Sequence, residues 1–278
     1  MKRREFITVL CAAAWPLAAR GQQSAITVIG FLNSGSSEGF APYVVEFRRG
    51  LAETGHVEGS ALAIDFRWAE GQYDRLPELA KELVRPGVSL IVATGGIQSA
   101  QAARALTASI PIIFTSGYDP VAVGLVSSLN KPGGNVTGVS IFASQLSAKR
   151  IGILQQLLPS TAITMLVNPR NPNASVELKD ARSAAALTEQ PIRVLKASSD
   201  GDFDDLSAIL DQERPGALLV SPDPFFVAQR KRLIGLAAKY AIPAVYGERE
   251  IATDGGLLSY GASIADAYRQ VGVMREKF

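Results

Sequence analysis

Ser89-Leu90-Ile91-Val92-Ala93-Thr94-Gly95-Gly96 decides the fold. The run up to Thr94 is continuous and apolar, as a strand covered on both faces must be. Before it, Tyr73 to Arg85 has helical spacing and stops at Pro86-Gly87. After it, Ile97 to Ala108 reads as a helix, Pro111 breaks that helix, and Ile112-Ile113-Phe114-Thr115 is the next strand. Parallel strands cannot be joined by a tight turn and need a long crossover. Strand, helix and strand in this order therefore predict a parallel sheet with helices on both faces.

The same grammar runs through the chain. Ile26 to Leu32 reads as a first buried strand, and Phe40 to Thr54 as a helix with Val44, Phe47 and Leu51 on one face. Leu62 to Trp68 alternates, with Leu62, Ile64, Phe66 and Trp68 together. Val121 to Leu129 is predicted helical, ended by Pro132-Gly133-Gly134, and Val136 to Ile141 is a fifth strand. The pattern then restarts. Ser144 to Leu158, Asn173 to Leu187, Asp202 to Gln212 and Pro224 to Tyr240 read as helices. Ala162 to Val167, Ile192 to Lys196, Ala217 to Val220 and Ala244 to Tyr246 read as strands between them. Two successive runs predict an α/β protein of two hinge-linked, Rossmann-like lobes with parallel sheets. The first crossing falls near Ile141 to Ser144. A single eight-stranded barrel is the competing architecture, and strand count does not separate the two.

Lys2-Arg3-Arg4-Glu5-Phe6-Ile7 opens the chain, an apolar run follows from Ile7 to Ala19, and Ala19-Arg20-Gly21 leads into Gln22-Gln23. This is the layout of a bacterial export signal, and the adjacent arginines point to the twin-arginine route. The apolar run is about half the ~20 residues that span a bilayer. Residues 1–21 are expected to be cleaved, with 22–142 forming the first lobe and 143–261 the second. The 278 residues carry 28 Lys plus Arg and 26 Asp plus Glu. Removing the signal takes four basic residues and one acidic, leaving 24 against 25, a net charge of −1. That balance argues against nucleic acid as a partner. The only cysteine, Cys11, lies inside the apolar run, so neither a disulfide nor a cysteine metal site is expected in the exported chain. No cofactor is implied.

Ligands of such sheets bind beyond the carboxyl ends of the strands. Those ends here are small and polar: Asn33-Ser34-Gly35-Ser36-Ser37, Thr94-Gly95-Gly96 and Thr115-Ser116-Gly117-Tyr118-Asp119-Pro120 in the first half. Asn168-Pro169-Arg170-Asn171, Ser221-Pro222-Asp223 and Tyr246-Gly247-Glu248 match them in the second. Glycine admits a ligand to the backbone, and hydroxyls and amides add directional bonds. Ser, Thr, Asn and Asp also favour turns and helix caps, which is the plain reading of any one loop. Six loops converging on one edge argue for a polar cleft. Asn33, Ser34, Thr94, Gly95, Gly96, Ser116, Tyr118, Asp119, Asn168, Ser221, Asp223 and Tyr246 are the candidate binding residues. Ser and Thr would take a carboxylate with backbone N–H help, and Asp223 an amine. Phe225 and Phe226 could stack on a ligand or pack in the core. Arg230-Lys231-Arg232 reads as solvent-facing.

Catalytic constellations are scarce. The one histidine, His56, sits in a helix-to-strand turn at the amino edge of the strands, the wrong edge for chemistry. No P-loop occurs, and a serine triad would have only His56 for its base. Asp119 and Asp223 could pair across a cleft, or each could cap a helix.

Several blocks resemble one family. They are the Arg-Arg-Glu-Phe start, Phe47-Arg48-Arg49-Gly50-Leu51, Tyr73-Asp74-Arg75-Leu76-Pro77 and Asp119-Pro120-Val121. Leu129-Asn130-Lys131-Pro132-Gly133-Gly134-Asn135-Val136-Thr137-Gly138 is the most specific, and Ser221-Pro222-Asp223-Pro224-Phe225-Phe226 and Gly256-Leu257-Leu258-Ser259-Tyr260-Gly261 continue the likeness. They resemble ABC transporter substrate-binding proteins of the type I periplasmic-binding-protein fold. The resemblance implies a non-enzymatic, periplasmic receptor that closes two lobes on a small polar solute, with an amino acid among the candidates, and delivers it to ABC permease subunits in the inner membrane. It also implies a helix over 262–278 that returns toward the first lobe. Val271 to Phe278 does not resemble the family's continuation, so a truncated C-terminus is expected. An enzyme on a similar scaffold and a ligand-sensing module are the rival readings; the enzyme requires an acid–base pair facing across the cleft.

Overall fold

The computed structural model describes residues 26–186 and 191–275; the expected signal, residues 1–21, lies outside them. Among the described residues ten strands form two separate sheets, and every pairing is parallel. The first sheet holds β1 (Thr27–Asn33), β2 (Leu62–Trp68), β3 (Val88–Thr94), β4 (Ile112–Ser116) and β5 (Val136–Ser140), in the order β2-β1-β3-β4-β5. The second holds β6 (Ile163–Val167), β7 (Arg193–Lys196), β8 (Ala217–Val220), β9 (Ala244–Tyr246) and β10 (Leu258–Ser259), in the order β10-β9-β8-β6-β7. Read from β7, the second sheet repeats the crossover order of the first. Two open sheets exclude the barrel.

The β3 run is buried on both faces, as its composition requires. Ile91 and Ala93 pack with Leu76, Leu79 and Leu83 of α2 (Leu76–Leu83) and Ile97 and Ala100 of α3 (Ile97–Arg104). Leu90 and Val92 pack on the opposite face with Phe40, Val44 and Phe47 of α1 (Ser37–Glu53). The second sheet is covered in the same way. Met165, Val167 and Leu219 meet Ile151 and Leu154 of α4 (Ser147–Leu157) and Ala181 of α5 (Ala174–Ala186). Leu166, Leu218 and Val220 meet Phe203 and Leu206 of α6 (Asp200–Glu213).

Two predicted elements differ. Val121 to Leu129 is a series of turns rather than a helix. Asp119 caps Val121 and Ala122, the N–H groups of Leu125 and Val126 return to the Pro120 carbonyl, and Gly124 adopts φ +70°. Arg104 donates to the carbonyls of Gly124 and Leu125, which takes over the acceptors a helix would use. The helix expected over Pro224 to Tyr240 breaks at Gln229 into α7 (Pro224–Ala228) and α8 (Arg230–Lys239). Arg230 is the reason: its guanidinium donates to the Val227 carbonyl, to Gly39 O of the first lobe at 3.1 Å, and to Asp254 at 2.6 Å. Arg230 is therefore buried, against the solvent-facing expectation. The short α9 (Arg249–Thr253) and the two-residue β10 are below what a sequence pattern can show.

The chain passes between lobes after β5, through a 3-10 turn at Ser144–Leu146, and again after β10. Its last described helix, α10 (Ile264–Met274), then packs on α1. Ser263 caps it by accepting from Asp266 N at 3.1 Å, and Tyr268 and Val271 enter the first-lobe core. The helices touch backbone to backbone at Gly50 and Gly272. A Cβ on Gly50 would collide with the carbonyl of Arg269, and one on Gly272 with the carbonyl of Phe47. Because neither obstacle is a flexible side chain, Gly272→Val is expected to cost at least about 1–3 kcal/mol, read as a lowered urea midpoint.

Candidate functional site

Parallel strands place their carboxyl ends at one edge of each sheet, and these two edges face each other. In the first lobe the turn after β3 uses Gly95 (φ +71°) and Gly96 (φ +115°), a left-handed pair that a side chain would strain. Gly96 then caps α3. Thr115 and Ser116 end β4, and Gly117 and Tyr118 follow it. In the second lobe Asp223 caps α7, accepting from Phe225 N at 2.8 Å with Pro224 at the first helical position.

A cavity of about 60 Å³ lies between the lobes. Gly95, Gly96, Ser116 and Tyr118 line it from the first, Asp223 and Glu248 from the second. Its apolar side is Phe40, Val227, Ile264 and Tyr268. Beside it runs a buried polar network. Asp223 accepts from Asn168 Nδ2 at 3.1 Å on Oδ1, and from Asn171 Nδ2 at 2.6 Å and Tyr73 OH at 3.0 Å on Oδ2. Glu177 accepts from Tyr118 OH and Ser221 OH. Gln98 Nε2 donates to Asn171 Oδ1 at 3.0 Å. Tyr73, Gln98 and Tyr118 belong to the first lobe and the others to the second, so the network ties the lobes together.

Burial controls the acidity here. It raises Glu177 to about 7 against the opposing bonds from Ser221 and Tyr118, and raises Glu248 to about 7 against the nearby charge of Arg150. Asp223 is also raised by burial, with its amide and hydroxyl donors pulling it back. The phenols of Tyr73 and Tyr118 are pushed up by burial and by the charges of Asp223 and Glu177.

The sequence-predicted residues divide into three groups. Gly95, Gly96, Ser116, Tyr118 and Asp223 line the cavity, and Asn168 and Ser221 brace its acids. Asn33, Ser34 and Thr94 are buried just behind the wall: Asn33 donates to Thr94 Oγ1 and to Tyr268 OH, both at 2.9 Å, and Ser34 donates to the carbonyl of Gly95. Asp119 and Tyr246 are not brought to the cavity. Asp119 spends its carboxylate on capping, and Tyr246 sits in the second-lobe core beside Ile251 and Ala244, its phenol pushed up to about 12 by burial. Asp119 and Asp223 do not pair. Phe225 and Phe226 join the same core, with Phe225 edge-on to Phe203 at 5.7 Å. His56 remains in its turn, with Nδ1 3.1 Å from Thr54 Oγ1. Among the described residues no cluster of His, Cys, Asp and Glu is arranged for a metal, and no helix is long and apolar enough to cross a membrane.

Sequence reasoning missed Tyr73, Gln98, Asn171, Glu177 and Glu248. Asn171 and Glu248 stand in loops it had singled out. Glu177 gave no signal, because an acid in the first turn of a helix is ordinary at a solvated N-terminus.

Two doubly wound lobes of matching strand order, facing across a buried polar cavity, define the type I periplasmic-binding-protein class. Residues 26–277 match the family model described as ABC transporter substrate binding protein, and the chain belongs to that family. A curated relative, the tyrosine-binding protein of Clostridioides difficile (strain R20291), is 28% identical over 217 residues, covering 77% of this chain and 61% of the relative. The chain thus spans about three-fifths of that relative's length. A conserved domain protein from Vibrio cholerae superposes with a TM-score of 0.77 at 22% identity, covering 91% of this chain and 84% of that one. An ABC domain in complex with L-Trp from Streptococcus pneumoniae gives 0.74 at 23% identity, covering 90% and 84%.

The raised acids predict a pH dependence. Glu177 and Glu248 go from 4.5 to about 7 on folding, so the folded chain binds more protons than the unfolded one between those values. Stability therefore falls as pH rises through that window and levels off above it. Glu177→Gln is neutral at every pH and is expected to flatten the fall, measured as thermal midpoint against pH.

Proposed function

We propose that this chain is the solute-capturing component of an ABC transporter and that it closes its lobes on a small amino-bearing solute, an aromatic amino acid foremost. The observation that carries the reading is the carboxylate of Asp223. It is 1% exposed, lines the cavity between lobes, and is bonded from both of them. A buried carboxylate is completed best by a cation. An ammonium displacing the Tyr73 or Asn171 bond would supply the positive charge that neutral donors lack. Phe40, Val227, Ile264 and Tyr268 offer the apolar face that an aromatic ring requires. The tyrosine-binding relative and the L-Trp complex favour the same ligand class.

Capture works by hinge closure. Only contacts made to both lobes at once favour the closed state, so the interlobe bonds set its population. Gly95, Gly96, Ser116 and Tyr118 form the first-lobe wall in this reading, and Asn33, Ser34 and Thr94 support it from behind. Residues 22–142 and 143–261 are the two working halves, with α10 laid back on the first. Export by the twin-arginine-type signal places the receptor in the periplasm, where it hands solute to its permease. The enzyme alternative has its pair of acids in Asp223 and Glu177. Each of their oxygens already accepts a protein hydrogen bond, which favours binding over proton transfer.

The test is calorimetry and thermal shift of the purified protein against L-tyrosine, L-tryptophan, L-phenylalanine and the other amino acids. Selective binding is expected, raising the midpoint by mass action. Asp223→Asn should weaken it by about 2–5 kcal/mol, or 30-fold and more. Unchanged affinity in that variant would remove Asp223 from the site.

A further inference from the structure

An amino acid needs a partner for its carboxylate as well as for its amine. The hydroxyls of Ser34, Thr94 and Ser116, at and behind the first-lobe wall, already have partners. Ser34 donates to the carbonyl of Gly95, Thr94 accepts from Asn33, and Ser116 closes a turn by bonding both N and O of Tyr118. The second lobe holds a group that is not occupied. Arg150, in the first turn of α4, is 0% exposed and is the largest fully buried side chain among the described residues. Its Nε donates to the carbonyl of Tyr260 at 2.9 Å, yet Nη1 and Nη2 have no acceptor. Ser147 lies three residues earlier, on the same helix face, buried and with its hydroxyl equally unpartnered.

A buried guanidinium with idle donors is rare, because each such group keeps its desolvation cost uncompensated. Glu248 and Glu177 act on Arg150 through their charge, but neither bonds to it. What lies against the guanidinium is glycine. A Cβ on Gly247 would stand 3.1 Å from Nη2 and 3.3 Å from Pro222 Cβ, and one on Gly261 would stand 3.4 Å from Nη2. Pro222, and Glu248 next to Gly247 in the chain, both line the interlobe cavity. Gly247 therefore lies against Nη2 with no side chain of its own, beside two residues of the cleft lining.

We propose that Arg150, with Ser147, is the carboxylate subsite of this cleft, so that the solute carries an acid group in addition to the amine held by Asp223. The assignment rests on the reading of Asp223 given above and narrows it: amines without a carboxylate are excluded as cargo.

The experiment compares L-tyrosine, L-tryptophan and L-phenylalanine with tyramine, tryptamine and phenethylamine by calorimetry. The native protein is expected to prefer acid-bearing probes by about 30-fold or more, the usual loss when one member of a buried charge pair is missing. Arg150→Met should abolish that preference by weakening the acids and leaving the amines within about threefold. Arg150→Lys should keep part of it, and Ser147→Ala should shift it in the same direction by less. Gly247→Ala crowds Nη2 without removing charge, and carries the test if Arg150→Met fails to fold. It too should cost the acids more than the amines. An acid-to-amine ratio unchanged in these variants overturns the subsite and leaves the Asp223 reading standing. Equal losses for acids and amines make Arg150 structural and overturn it as well. A native protein that binds none of the six probes overturns both.

Discussion

A parallel pair of strands cannot be closed by a tight turn, and most of this molecule follows from that constraint. Each crossover, helical except for the turns that link β4 to β5, carries the chain back over the sheet, so every strand in a lobe ends at the same edge. The loops at that edge are free to be polar, because their backbone is not needed for the core. Two lobes built on one strand order then present two such edges, and the chain passes between them after β5 and again after β10. The last helix seals the arrangement by packing on α1 through glycine contacts that no larger residue could make.

The price of this geometry is a set of ionisable groups held away from water. Asp223, Glu177, Glu248 and Arg150 are all buried in or beside the space between the lobes. Neutral donors from Tyr73, Asn168, Asn171, Tyr118 and Ser221 satisfy the hydrogen-bonding capacity of Asp223 and Glu177 but not their charge. Charge is therefore what the cleft lacks. A small zwitterion would bring both signs at once, one for the acid of Asp223 and one for the idle guanidinium of Arg150. On the proposed reading the same physics would make closure selective: a guest that supplies only one sign would leave the other group uncompensated in a medium of low dielectric.

The membership of the chain in the ABC transporter substrate binding protein family is consistent with this physical account. Family and fold say that two lobes will close on something. The identity of that something is carried by individual side chains, and here the informative ones are those whose hydrogen-bonding or charge remains unfulfilled. Asp119 and Tyr246 show the converse. Both are polar residues at strand ends, yet one is consumed by a turn and the other by the core.

Periodicity alone determined the alternation of strands and helices and the parallel sheets, because burying apolar faces leaves so few arrangements of such segments; that these form two sheets rather than one barrel was decided by the tertiary structure. The same reading picked out the loops that carry Gly95, Ser116, Asn168 and Asp223, since six loops of glycine and short polar residues fall at the same edge of the strands. It did not reveal Tyr73, Gln98 or Glu177, which sit at helix starts where polar residues are ordinary. Nor did it reveal that Val121 to Leu129 would lose its carbonyls to Arg104, or that Arg230 would turn inward to Gly39. These outcomes depend on partners far away in the chain. A local pattern records what a segment must bury; only the folded chain decides which distant group meets it there.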